Sequence, residues 1–204
     1  MIRVAQQGAV WTLTLDRPDK ANSLTAEMLK DLCTAVEDAT RSDACAIILT
    51  GAGRVFSAGA DLDEARAGLA TSPLWEDLSS RIAQAECLTI AALNGTLAGG
   101  AFGMALACDL RICVPGAKFF YPVMKLGFLP QPSDPGRLAA LVGPARAKMI
   151  LMAGARIEAE EARDWGLVDR IADPDALLAV AQALCADALS ARPAHVAAIK
   201  RLIP

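Results

Sequence analysis

The chain has 204 residues, 54% of them apolar, and a formal net charge of −3, a size that fits one ordinary domain able to bury a core without disulfides or metals. Its longest apolar runs, such as 44–49, are strand-sized and too short to span a bilayer, and no long basic stretch offers the footprint of a nucleic-acid binder. A small-molecule partner is the expectation.

Met1, Ile2 and Arg3 lead into a Gln6-Gln7-Gly8 turn. No basic flank followed by an apolar stretch is read there, so no secretion signal and a cytoplasmic location are expected. Period-two patterning predicts strands over 2–5 and 10–16, with Trp11, Leu13 and Leu15 on one face of a hairpin. Behind a Thr25 cap, Met28, Leu29, Leu32, Val36 and Ala39 recur at helical spacing. The apolar run 44–50, closed by Gly51-Ala52-Gly53, reads as a strand buried on both faces. Ser72-Pro73 opens a helix, and 88–93 is a second buried strand ending in Asn94-Gly95. Helical composition over 101–107 is followed by short strands at 111–114 and 118–121. From Arg137 the chain reads as mostly helical, with Gly154 and Gly166 as stop signals. Strands separated by helices make this an α/β chain, and periodicity leaves an open sheet and a spiral as alternatives.

Six cysteines, Cys33, Cys45, Cys87, Cys108, Cys113 and Cys185, lie in apolar segments without paired spacing and read as buried thiols. With His195 as the single histidine they cannot readily build a structural zinc site, so no metal is expected. His195 is given no role. Trp11, Trp75 and Trp165 read as packing anchors, and the charged cluster from Glu158 to Asp164 reads as a solvated helix face.

Chemistry concentrates in two Gly-rich turns, each after a strand and before a helix: Phe56-Ser57-Ala58-Gly59-Ala60-Asp61-Leu62, and Asn94-Gly95-Thr96-Leu97-Ala98-Gly99-Gly100-Ala101. Small residues let a ligand reach the main chain, and first-turn helix amides point at negative charge placed there. A pair of such turns can build an oxyanion hole. A dinucleotide fingerprint fails because Phe56 stands where its third glycine belongs. A nucleophile elbow around Ser57 lacks its first glycine.

FSAGADL followed about forty residues later by NGTLAGG resembles the paired signature of the crotonase, or enoyl-CoA hydratase/isomerase, superfamily. DRPDKANSL resembles the family's first CoA-contacting loop. LGFLPQPSDPGRLAALVG resembles the segment after its second catalytic position. The resemblance implies a crotonase-type spiral of ββα turns over 1–140 and a helical C-terminal region over 141–204. It also implies a homotrimer or dimer of trimers, and an acyl-CoA substrate whose coenzyme A needs no separate cofactor. By position, the amides of Ala60 and Gly100 would hold the thioester oxygen and stabilise its enolate. Ala58, Asp61 and Leu62 would meet the adenine through backbone groups. Lys20 and Ala21 would line the pantetheine and phosphate side, and Gly99 belongs to the same binding set.

The family's hydratases use two glutamates as general base and general acid. Here Gly103 and Val123 stand at those positions, and neither transfers a proton. Among Asp63, Glu64, Glu76, Asp77, Tyr121, Gln131 and Asp134, the candidates for a replacement are Tyr121 and Asp134. Each also has an ordinary reading, as a core tyrosine and as turn chemistry before Pro135. Asp63 stands where relatives often carry a phosphate-facing lysine, with Lys20 and Arg54 as compensating charges. Relatives usually continue through further helices beyond the position of Pro204. The expected function is an acyl-CoA enzyme of the lyase/isomerase class, with decarboxylation or thioester hydrolysis favoured over hydration. The alternative is a non-catalytic acyl-CoA-binding or oligomeric scaffold subunit.

Overall fold

The computed structural model of the chain describes residues 1–203. A hairpin of β1 (Ile2–Gln7) and β2 (Val10–Leu15) forms one edge of a six-stranded sheet, in the order β1-β2-β3-β5-β7-β10. From β2 onward its neighbours run parallel: β3 (Ala46–Gly51), β5 (Leu88–Leu93), β7 (Leu110–Cys113) and β10 (Arg170–Ile171). The crossover from β2 to β3 is α1 (Ala26–Arg41), whose first turn is capped by the Thr25 hydroxyl accepting from the Met28 amide at 3.1 Å. Met28, Leu29, Leu32, Val36 and Ala39, spaced for one helix face, are all buried. That face packs on the sheet and on α3 (Leu74–Gln84), which is why β3 reads as a continuous apolar run rather than an alternating one.

Three strands of this sheet, β3, β5 and β7, each turn a corner into a short strand of a second sheet: β4 (Val55–Ser57), β6 (Thr96–Ala98) and β8 (Lys118–Phe120). A helical segment follows each time: α2 (Leu62–Arg66) and α3, then α4 (Phe102–Ala107), then α5 (Val123–Leu126). This repeat decides between the two topologies left open by periodicity: the chain is a crotonase-type spiral of ββα turns. Successive corners stack closely. A Cβ on Gly95 would lie 2.0 Å from the Arg54 carbonyl oxygen, so the second corner admits only glycine over the first. Two asparagines stitch the layers. Asn22, buried with φ +52°, donates to the carbonyls of Ala52 and Val55 at 2.9 and 2.7 Å. Asn94 accepts from the Gly51 amide and donates to Gly53, both at 2.9 Å.

The segment from Arg137 is less purely helical than its composition predicts. Between α7 (Pro144–Leu151), α8 (Ala159–Asp164) and α9 (Leu177–Leu184) it supplies β9 (Ile157–Glu158), antiparallel to β8, and β10, parallel to β7. A boundary at residue 140 falls inside α6 (Asp134–Val142). The last helices, α10 (Ala186–Ser190) and α11 (Pro193–Arg201), are tied back by Lys200, which pairs with Asp109 at 2.9 Å. Gly154 and Gly166 stop their helices in left-handed conformations, and all six cysteines are buried free thiols. No single described helix is long and apolar enough to cross a membrane.

Candidate active site

Parallel pairing of β4 with β6 sets the two Gly-rich turns side by side. Gly59 and Gly99 have φ of +94° and +59°, and a Cβ on Gly59 would stand 3.0 Å from the Ala98 carbonyl oxygen. Conformation and space both exclude a side chain, so the two backbones touch. The Leu24 amide donates to Gly59 O at 2.8 Å and the Asp61 amide donates to Leu24 O at 2.9 Å, which makes Ala60 the bridged residue of a parallel pair. In that pattern the N–H of Ala60 itself faces away from Leu24. Gly100 lies in the single 3-10 turn 99–101 that leads into α4, where first-turn amides have no intrahelical acceptor. Ala60 and Gly100 line one cleft of about 350 Å³.

Of the predicted binding residues, Ala58, Leu62 and Gly99 also line the cleft, while Lys20, Ala21 and Asp61 do not. Ala21 sits directly behind it, its carbonyl accepting from the Ala58 amide at 3.0 Å. Lys20 is exposed on the single-turn helix 18–20. Both main-chain groups of Asp61 are engaged, the amide by Leu24 and the carbonyl by the Ala65 amide. Its carboxylate caps α2 and pairs with Arg17 at 2.8 Å, and the Arg17 hydrogen bond holds its pKa below the usual carboxylate range. The Asp61 amide is therefore committed to Leu24, and its carbonyl, already accepting from Ala65, keeps one further lone pair. Ser57, donating to Asn22 O and accepting from the Gly59 amide, serves the turn. Asp63 is exposed and pairs with Arg66, and Arg66 is the arginine that borders the cleft.

Trp75 extends beyond packing. It is buried, its indole N–H donates to Leu69 O at 2.8 Å, and a Cβ on Gly100 would lie 3.2 Å from three of its ring atoms. The ring thus forms the wall over the Gly100 main chain. No local pattern distinguishes such a tryptophan from a core anchor, because the contact joins α3 to a turn 25 residues away.

The two positions matched to the hydratases' glutamates, Gly103 and Val123, carry no ionisable group. Val123 lines the cleft. Gly103 is buried, and a Cβ there would meet Asp134 Oδ1 at 2.9 Å. Asp134 is fully buried and accepts a hydrogen bond from Tyr121 Oη at 2.9 Å. Burial raises the Asp134 carboxyl to about 7, against the hydrogen bond from Tyr121 and the attraction of Arg137. Burial, with the neighbouring Asp134 charge, drives the Tyr121 hydroxyl strongly upward. Asp134 Oδ1 and Arg137 Nη1 are buried without a hydrogen-bond partner. Glu76 holds Ser133 through both its amide and its hydroxyl. For Glu76, burial is outweighed by hydrogen bonds from Ser133 and Ser80, and its pKa is lowered. Tyr121 and Asp134, 13 residues apart in sequence, form one contact. Of the other acidic candidates, Glu64 accepts from the Ala26 amide at 2.6 Å and Asp77 pairs with Arg81.

The family model described as enoyl-CoA hydratase/isomerase matches residues 5–203. A probable enoyl-CoA hydratase of Mycobacterium tuberculosis is 32% identical over 203 residues, covering 100% of this chain and 82% of the relative. The 1,2-epoxyphenylacetyl-CoA isomerase of Escherichia coli is 34% identical over 185 residues, covering 86% of this chain and 71% of its own. Among solved structures, an enoyl-CoA hydratase from Bacillus anthracis superposes with a TM-score of 0.92 at 32% identity, over 99% of this chain and 81% of that one. With the ββα spiral, the two abutting glycine turns and these matches together, the chain belongs to the enoyl-CoA hydratase/isomerase family of the crotonase superfamily.

Proposed function

We propose that the chain is an acyl-CoA-processing enzyme in which the backbone amides of Ala60 and Gly100 receive the thioester oxygen and stabilise the enolate form of the acyl group. The observation that carries this reading is the pair of amide-bearing turns, held in contact at Gly59 and Gly99 and opening on one cleft. Preorganised donors act most where charge develops, and loss of one such donor costs about 3 to 4 kcal/mol of transition-state stabilisation. Trp75 and the apolar cleft wall exclude water and strengthen those interactions. With Gly103 and Val123 at the glutamate positions, hydration by the two-carboxylate route lacks its acid and base. Decarboxylation or thioester hydrolysis needs the oxyanion hole first and fits better. A non-catalytic acyl-CoA-binding subunit is the second reading, favoured by Val123 in the cleft wall.

Calorimetric titration compares free coenzyme A with a non-reactive analogue in which the acyl carbonyl is kept and the thioester sulfur is replaced by CH2. The analogue is expected to bind at least about tenfold tighter, a difference of about 1.4 kcal/mol. Gly100→Val, whose side chain enters the space of the Trp75 ring, is expected to abolish that difference. Equal binding of both ligands to the native protein would overturn the oxyanion-hole assignment.

A further inference from the structure

The cleft holds an oxyanion site yet has no carboxylate at either glutamate position, while a buried carboxylic acid sits next to one of them. Asp134 reaches α4 from the start of α6, and its Oδ1 lies 2.9 Å from where the first atom of a side chain at position 103 would go, closer than side-chain atoms pack. Gly103 and Asp134 are therefore sterically coupled: a glutamate at 103 and the present placement of Asp134 exclude one another. Asp134 is fully buried and does not border the cleft, but its hydrogen-bond partner does. Tyr121 lines the cleft together with Ala60 and Gly100, and its ring is fixed by stacking on Phe102 with centroids 5.4 Å apart.

We infer that Tyr121 is the group that exchanges a proton with the α-carbon of the bound acyl chain, and that Asp134 acts through it as proton reservoir and positioning residue. In the deprotonating direction the α C–H bond breaks, its proton passes to Tyr121 Oη, and the Tyr121 proton moves along the existing hydrogen bond to Asp134. The electron pair delocalises onto the thioester oxygen. In the protonating direction Asp134 returns its proton to Tyr121 as Tyr121 delivers one to the α-carbon, and the enolate collapses to the thioester. No oxidant or further reactant is needed. Tyr121 never has to persist as phenolate, which the neighbouring carboxylate and the burial both oppose. Asp134 Oδ1, buried without a partner, leaves the carboxyl free to hold a proton.

This inference rests on the oxyanion-hole reading, and the test separates the two. Butyryl-CoA is incubated with the protein in D2O, α-hydrogen exchange is followed by NMR, and butyryl-CoA affinity is measured on the same samples. The native protein is expected to bind and to exchange, with a rate that rises as pH passes through about 7, where Asp134 becomes a carboxylate able to accept the relayed proton. The charged or titratable groups around Asp134 are Tyr121, Glu76 from α3 and Arg137 on its own helix, and α4 carries no titratable side chain. Tyr121→Phe keeps the stacked ring, and it is expected to lower exchange at least about 100-fold while butyryl-CoA still binds. Asp134→Asn is expected to slow exchange and to erase the inflection near pH 7. Binding without exchange by the native protein, or exchange in Tyr121→Phe within threefold of native, would overturn the inference alone. Absence of butyryl-CoA binding by the native protein would overturn the acyl-CoA reading and this inference with it.

Discussion

Replacing Asp134 by asparagine removes a carboxyl that, among the described residues, is alone in being completely buried, and its effect on stability follows from the shift of that group. An acid whose folded pKa is raised is held protonated by the native state more tightly than by the unfolded chain, so stability falls as pH rises between the two values. For Asp134 these are 3.8 in the unfolded chain and about 7 in the fold, a gap worth about 4 kcal/mol once ionisation is complete. About 2.5 kcal/mol of that falls between pH 5 and pH 8.5. Urea unfolding of native protein and Asp134→Asn at both pH values isolates the contribution, because every other titrating group is common to the two. The native protein is expected to lose about 2.5 kcal/mol relative to the variant on going from pH 5 to pH 8.5. Parallel stability profiles would mean that Asp134 is ionised throughout, with Tyr121 and Arg137 fully offsetting its burial. The assay needs no ligand, so it tests the electrostatics of the pair independently of any reaction.

Two further substitutions probe the parts of the fold that hold the site. Asn22→Ala strips two donated bonds and the bond accepted from the Arg17 amide at a fully buried corner, and is expected to cost about 2 to 4 kcal/mol. The urea midpoint should fall with an unchanged slope, and a shift below about 0.5 kcal/mol would show that the corners stack without it. Trp75→Ala deletes the wall over Gly100 and is expected to destabilise by about 3 to 5 kcal/mol. It should also weaken binding of the carbonyl-bearing coenzyme A analogue more than binding of coenzyme A itself, as calorimetry would show. An equal effect on both ligands would place Trp75 in the core alone.

The long elements could be read from the chain. Helix α1 announces itself through Thr25 and five apolar residues at helical spacing, and β3 and β5 through unbroken apolar runs, because each pattern records a local requirement: one buried face, or two. The Gly-rich turns were equally plain, since Gly59 and Gly99 are demanded by positive φ and by backbone contact. Of the second sheet only β8 is legible, as the short strand 118–121, and β10 of the first sheet is not. Strands β4, β6, β9 and β10 have two or three residues each, too few to show a period, and they exist through pairing with partners far along the chain. The C-terminal segment therefore reads as helical although β9 and β10 join the two sheets.

The site divides along the same line. That both glutamate positions are empty, and that a pair of turns can present free amides, follows from residue identity and order, because a missing carboxylate or a required glycine is a property of one position. That Trp75 covers Gly100, that the Asp61 amide is spent on Leu24, and that Asp134 crowds the space beside Gly103 while touching Tyr121 are decisions of the tertiary structure. Each depends on distances between segments that only the winding of the spiral brings together.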